Sequence, residues 1–120
     1  MRRIEGPALL ARIYVGEADH HGGKPRYQAI VELLRERGIA GATVLRGIEG
    51  FGANAHLHTT RILRLSEDLP ILIEVVEEEA RLRAVLPEVD ALLGDGLITL
   101  EPIEVLTYRG SGPGTTSGTT

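Results

Sequence analysis

Leu9-Leu10-Ala11-Arg12-Ile13-Tyr14-Val15 alternates strictly between two sets of side chains. Leu9, Ala11, Ile13 and Val15 point one way; Leu10, Arg12 and Tyr14 point the other. A period of two is the pattern of a β-strand with two unlike faces. Downstream, Tyr27, Ile30, Val31 and Leu34 recur at helical spacing. Pro25 precedes them where a first helical turn tolerates proline, and Gly38 follows as a C-terminal cap. Residues 42–48 read as a second strand with Ala42, Val44 and Ile48 on one face. Residues 71–76, Ile-Leu-Ile-Glu-Val-Val, read as a third. A second helix is expected from about Glu77 to Leu93, carried by Leu82, Val85, Leu86, Val89, Leu92 and Leu93. Pro87 should kink or split it. After Gly94-Asp95-Gly96, residues 97–106 form a fourth strand, in which Pro102 marks a bulge or a sheet edge.

The element order is therefore β-α-β-β-α-β, an α+β ferredoxin-like sandwich with a four-stranded antiparallel sheet. Residues 1–109 make one domain, and the Gly/Ser/Thr/Pro tail from 110 to 120 is expected to be disordered. Two helices cover only one face of such a sheet. The other carries Leu10, Tyr14, Leu45, Leu72 and Val76, more apolar surface than a monomer leaves wet. Packing of these faces between copies in a closed ring is the expected remedy.

Composition narrows the function. Apolar residues make up 42% and charged residues 25% of the 120 residues, the balance of a folded domain rather than a disordered chain. The net charge of −4 argues against nucleic acid as a partner. Tyr14, Tyr27, Phe51 and Tyr108 are the whole aromatic complement, too few for a base-stacking platform. With no cysteine, thiol chemistry and disulfides are excluded, which fits a cytoplasmic protein. The N-terminal residues lack a signal-peptide apolar core, and no apolar run approaches the roughly 20 residues of a membrane helix.

The stretch Gly41-Ala42-Thr43-Val44-Leu45-Arg46-Gly47-Ile48-Glu49-Gly50-Phe51-Gly52-Ala53-Asn54 resembles the second strand and T-loop base of PII signalling proteins. Lys24-Pro25 resembles the Lys-Pro that opens the first PII helix, and Gly94-Asp95-Gly96 resembles the PII B-loop. The three motifs stand in the family's order and span about residues 9–109. They are most similar to the PII-like subgroup, related in fold to the nitrogen-regulatory PII and CutA proteins.

The resemblance implies a homotrimer that binds an adenine nucleotide in clefts between subunits and has no catalytic chemistry of its own. By position, the nucleotide-binding candidates are Gly41, Thr43, Gly50, Phe51, Gly52, Ala53, Asn54, Gly94, Asp95, Gly96 and Arg109. Leu97 stands where PII has a phosphate-binding lysine, and a C-terminal basic pair is reduced to Arg109. Among AMP, ADP and ATP, these departures favour AMP or ADP. No cofactor is required. The loop from Gly52 to about Ser66 resembles an output arm whose target is a membrane transporter or channel.

The residues themselves leave a plainer reading open. Glycines let backbone N–H groups approach an anion, but Gly50, Gly52 and Asp95 also suit simple turns. His20-His21 and His56-X-His58 raise an alternative, CutA-like divalent metal binding. Glu17, Asp19 and Lys24 flank Gly22-Gly23; a phosphate could be drawn to the following helix N-terminus, although loop and cap roles explain them better. Glu77, Glu78 and Glu79 suit the positive end of the second helix dipole.

Overall fold

The computed structural model describes residues 2–51 and 69–110. Its elements are β1 (Gly6–Gly16), β2 (His20–His21), β3 (Lys24–Pro25), α1 (Arg26–Glu36), β4 (Thr43–Arg46), β5 (Pro70–Glu77), α2 (Glu79–Leu93) and β6 (Leu97–Val105). The main sheet has the order β4-β5-β1-β6 with every neighbouring pair antiparallel, the ferredoxin-like arrangement expected. Strand β1 is central because alternate residues meet two different demands. Ala11 and Ile13 have no exposed surface and face the helices, while Arg12 and Tyr14 stay half-buried on the opposite face.

Helix α1 buries Ile30 and Leu34; α2 buries Leu82, Val85, Val89 and Leu93. They close over Ile71, Ile73 and Val75 of β5 and the inward residues of β1 in one aliphatic core. Fully burying one such side chain contributes about 1.5–3 kcal/mol, which makes this core the main stabilising layer.

Several local expectations change. Pro87 does not split α2: Val85 and Val89 lie on either side of it and both pack into the same core, while Pro87 itself is exposed. The second strand is shorter than residues 42–48, because Gly47 turns onto Pro70 and leaves Ile48 88% exposed. Pro25 is the residue before α1 and caps it from outside, rather than sitting in its first turn. The expected loop over 17–24 contains a miniature hairpin, β2 against β3, turned by Gly22-Gly23. Both glycines have positive φ (60° and 83°), as a two-residue hairpin of this kind requires. Pro102 does lie on an edge strand, β6.

Glu77 departs furthest from expectation. It ends β5, is completely buried, and does not open α2. Its carboxylate accepts hydrogen bonds from the Arg2 guanidinium, from Ala40 N–H at 2.9 Å and from Glu78 N–H at 2.9 Å. Arg2 also donates to the Gly38 carbonyl at 3.1 Å. One carboxylate thus ties together the N-terminal arm, the α1–β4 connection and the entry to α2. Replacing Glu77 by alanine strands Arg2 and two backbone donors, and should cost about 3 kcal/mol in urea denaturation. Glu77→Gln, which keeps an acceptor for the backbone, should cost less.

Arg37 on the α1 side meets Glu88 of α2 through two hydrogen bonds, at 3.0 and 2.6 Å. The hydrogen bonds from Arg37 hold the Glu88 carboxyl below its ordinary range; desolvation opposes this, and the charge attraction of Arg37 adds to it. A depressed folded value stabilises the fold above the ordinary carboxylate pKa, and that contribution is lost as pH falls through the folded value. The gap in denaturation midpoint between wild type and Glu88→Gln should therefore be present at pH 7 and close under acid titration.

Candidate functional site

The antiparallel register sorts the two ends of the sheet. Tyr14 pairs with Leu97, Gly16 with Pro70, and Arg46 with Ile71. The Gly94–Gly96 turn and the segment beginning at Gly47 therefore lie at the same end, on opposite edges. Three strand spacings, about 14 Å, separate those edges. Gly41, Thr43 and Arg109 are placed differently. Gly41 lines a cavity of about 340 Å³ with Val31, Leu34, Arg35, Ile39, Ala40 and Ala42. Thr43 is paired with Glu74 partway along the sheet, and Arg109 is bridged to Arg3 beyond the opposite end. One subunit thus sets the segment holding Gly50 and Phe51 and the turn Gly94, Asp95 and Gly96 at the same end of the sheet, on its opposite edges, and places Gly41, Thr43 and Arg109 elsewhere. Gly52, Ala53 and Asn54 lie outside the described residues.

Both turns are tightly specified. A Cβ on Gly96 would lie 2.5 Å from the Tyr14 carbonyl oxygen and 2.9 Å from Leu93 Cδ1. Gly94 has φ 64°, and a Cβ there would lie 2.9 Å from the Arg26 guanidinium carbon. On the other edge, Gly47 donates its N–H to the Pro70 carbonyl at 2.7 Å, and a Cβ on Gly47 would lie 2.7 Å from Pro70 Cγ. At Gly50 the corresponding distance is 3.0 Å. Pro70 is thus the anchor for the start of the 47–51 segment. Gly47, which the motif comparison passed over, is held at least as closely as Gly50. Phe51 is 75% exposed.

A polar chain runs between the two edges. Arg26 donates through Nη1 to the Leu92 carbonyl, at the end of α2, and through Nη2 to the His20 carbonyl at 3.0 Å. Its backbone N–H donates to Asp19 O at 2.7 Å, and the Asp19 carboxylate accepts from Gly16 N–H at 3.0 Å. Glu17 accepts from Arg46 Nε at 3.0 Å, and its N–H donates to Leu69 O at 2.8 Å. Glu17 and Asp19 are therefore loop fasteners. Lys24 is committed to Glu32, with Nζ donating at 2.6 Å; that hydrogen bond is the main reason the Glu32 carboxyl sits below its ordinary range. Arg26 lies in no motif and was missed. The only signal was its position directly after Lys24-Pro25, with no indication of what it would reach.

The family model described as DUF190, Uncharacterized ACR, COG1993, matches residues 8–105. The chain belongs to the DUF190 family. A UPF0166 protein of Aquifex aeolicus is 37% identical over 97 residues, covering 81% of this chain and 91% of that protein. UPF0166 protein MJ1524 of Methanocaldococcus jannaschii is 36% identical over 104 residues, 86% of this chain and 94% of that one. Among solved structures, CPII from Thiomonas intermedia K12 superposes with a TM-score of 0.61 over 91% of this chain and 99% of its own, at 16% identity. CPII is a nitrogen regulatory PII-like protein, and that structure holds ADP, AMP and bicarbonate. The match establishes that this DUF190 chain has the PII-like fold, as the motif resemblance implied.

The histidines of this family member divide. His20 and His21 are exposed in the small hairpin, and His20 Nδ1 lies 2.7 Å from the Ala18 carbonyl oxygen. His56 and His58 lie outside the described residues. Among the described residues, no three groups of metal-ligating type come together. No described helix is long and apolar enough to cross a membrane.

The face away from the helices is mixed rather than purely apolar. Arg12 Nε donates to Glu74 at 3.2 Å and Arg12 Nη1 to Glu101 at 3.2 Å, forming an ion ladder across β5, β1 and β6. Leu10 and Val76 flank it on one side, Tyr14, Leu72, Leu45 and Leu97 on the other.

Gly96→Ala should lower stability by about 1–3 kcal/mol, because the Tyr14 carbonyl is backbone and cannot yield. Gly94→Ala should lose part of its cost in an Arg26→Ala background, where only the positive φ remains unfavourable. Thermal denaturation of the single and double variants measures both.

Proposed function

We propose that this protein is a PII-like regulator that binds an adenine nucleotide, AMP or ADP in preference to ATP, in clefts between the subunits of a homotrimer. The observation that carries this reading is the shared end of the sheet. There, two turns whose glycines pack against Pro70 on one edge and against Arg26, Tyr14 and Leu93 on the other are joined through Arg26, Asp19 and Glu17. The PII-like fold and the nucleotides held by CPII support the same reading. Gly50, Phe51, Gly94, Asp95 and Gly96 form one wall of the cleft, with Gly52, Ala53 and Asn54 next in sequence. Gly41, Thr43 and Arg109 join them only if a neighbouring subunit completes the site.

The trimer uses the face that the helices leave open. Leu10, Tyr14, Leu72 and Val76 are half-buried there already, and the Arg12–Glu74–Glu101 ladder is paired within its own subunit. Arg12 offsets only one of the two carboxylates, so the trimer must keep the more exposed acid, Glu101, at its rim or meet it with a cation of a neighbouring subunit while the surrounding apolar surface is buried. The protein works by binding rather than turnover. Its output is the segment from Gly52 to about Ser66, which a nucleotide at its base biases toward one state by the difference in affinity for the two. A membrane transporter or channel is the target class.

Calorimetric titration with AMP, ADP, ATP and a divalent metal series, alongside sedimentation, tests this. Micromolar binding of AMP or ADP, about 8 kcal/mol, to a particle of three chains is the expected result. Heat from metals alone would replace the reading with the CutA-like one, and a monomer that binds no nucleotide would end it.

A further inference from the structure

Glu77 is the only buried charged side chain among the described residues, and nothing in the proposed cleft uses it directly. Its two oxygens serve different segments. Oε1 accepts the Ala40 N–H at 2.9 Å, in the α1–β4 connection. Oε2 accepts the Arg2 guanidinium of the N-terminal arm, and the Glu78 N–H at 2.9 Å where α2 begins. Arg81 Nε, at 3.9 Å, is a second cation beside Oε2. The same alanine is held from its other side, because its carbonyl accepts the Tyr108 hydroxyl at 3.3 Å. Ala40 is thus gripped through both N–H and C=O by side chains 37 and 68 residues away.

This grip matters because little else fixes the chain there. Ile39 N–H closes onto the Leu34 carbonyl at 3.1 Å, and the β4–β5 ladder begins at Thr43. Outside that ladder, the only hydrogen bonds to residues 40–42 among the described residues are the two on Ala40. Packing does not supply the rest. Ala40, Gly41 and Ala42 border the cavity of about 340 Å³ that separates them from Val31, Leu34 and Arg35, and Gly41 and Ala42 are exposed. A segment beside a cavity has no contacts on that side to define its position. Gly41 adds backbone freedom at the same point.

We infer that Glu77 and Tyr108 are positioning residues for residues 41–43, and that through Glu77 the docked N-terminal arm regulates the affinity of the cleft those residues enter. The inference rests on the nucleotide reading for what Gly41 and Thr43 meet; the grip on Ala40 does not. An undocked arm leaves the buried carboxylate without its nearest cation, a cost relieved by movement of the carboxylate toward water or Arg81. Ala40 then loses its hold. Linkage makes the effect mutual: a ligand that fixes residues 41–43 favours the docked arm by the same factor.

Calorimetric titration of the full chain with ADP, well below each variant's melting temperature, tests this together with hydrogen exchange. Wild type is compared with Tyr108→Phe, Arg2→Gln, Glu77→Ala, Glu77→Gln and Val89→Ala. The last loses core packing but none of the hydrogen bonds to Glu77 or Ala40. Tyr108→Phe and Arg2→Gln should each bind ADP at least about threefold more weakly, the equilibrium worth of one hydrogen bond, and Glu77→Ala at least about tenfold. Glu77→Gln keeps an acceptor for Ala40 and should recover most of that loss, and Val89→Ala should bind as wild type does. ADP should slow exchange at Ile4 of the wild-type arm, and without ADP the Ala40 amide should exchange faster in Tyr108→Phe than in wild type. Tyr108→Phe removes a single hydroxyl, so it keeps the test decisive if Glu77→Ala does not fold. Wild-type affinity in Tyr108→Phe, unchanged exchange at its Ala40, or equal weakening in Val89→Ala would overturn the inference and leave the nucleotide reading standing. Wild-type affinity in Arg2→Gln, or no ADP-dependent protection at Ile4, would overturn the role of the arm. A wild-type protein that binds no nucleotide would end the nucleotide reading, and regulation of the cleft with it.

Discussion

A four-stranded sheet offers two faces, and two helices of 11 and 15 residues can cover only one of them. That limit organises the molecule. The covered face takes the residues that cannot be left in water: Ala11, Ile13, Ile73, Val75 and the buried leucines and valines of α2. On the other face, polar and apolar residues are interleaved, with the Arg12 ladder at its centre and half-buried leucines, valine and tyrosine around it. The leading hydrogen bond to Glu74, with the nearby Glu101 charge, raises the Arg12 pKa above its usual value, so the guanidinium at the centre of the ladder stays charged over any ordinary pH.

The same sheet separates two kinds of chemistry by its ends. At one end, turns and short connections converge, and Arg26 links the end of α2 to the small hairpin. Close packing there leaves no room for a Cβ on Gly94, Gly96 or Gly47, because the Arg26 side chain, the Tyr14 carbonyl with Leu93, and Pro70 already occupy that space. At the other end, a buried carboxylate, Glu77, gathers the arm and the α1–β4 connection, and Arg109 lies beside Arg3. A cleft that used both groups would have to span two subunits, since neither end of one chain holds all the candidates.

Much of the architecture was legible from local pattern. The alternation in β1 and β5, the helical spacing of Ile30 and Leu34, and the leucines and valines of α2 set element type and order, because burial on one face imposes a period of two or 3.6 on any chain that folds this way. The glycine motifs likewise marked the two turns, since a Cβ has no room at Gly96 and is both crowded and strained at Gly94. Pro102 correctly pointed to an edge strand, because proline has no N–H for an inner ladder.

What the sequence could not reveal were pairings between residues far apart in the chain. Glu77 looked like one of three acids opening a helix, and only the approach of Arg2, 75 residues away, makes it a buried anchor. Pro87 is expected from sequence to kink or split α2; it does not split it, because packing on both sides outweighs one missing hydrogen bond. Arg26 gained its role from the Leu92 carbonyl, and Arg109 gained a like-charged neighbour from a bridge to Arg3. Periodicity depends on each residue's own burial and is written locally. Charge partners and close backbone approaches depend on which distant segments the sheet register brings together, and that was decided only in the tertiary structure.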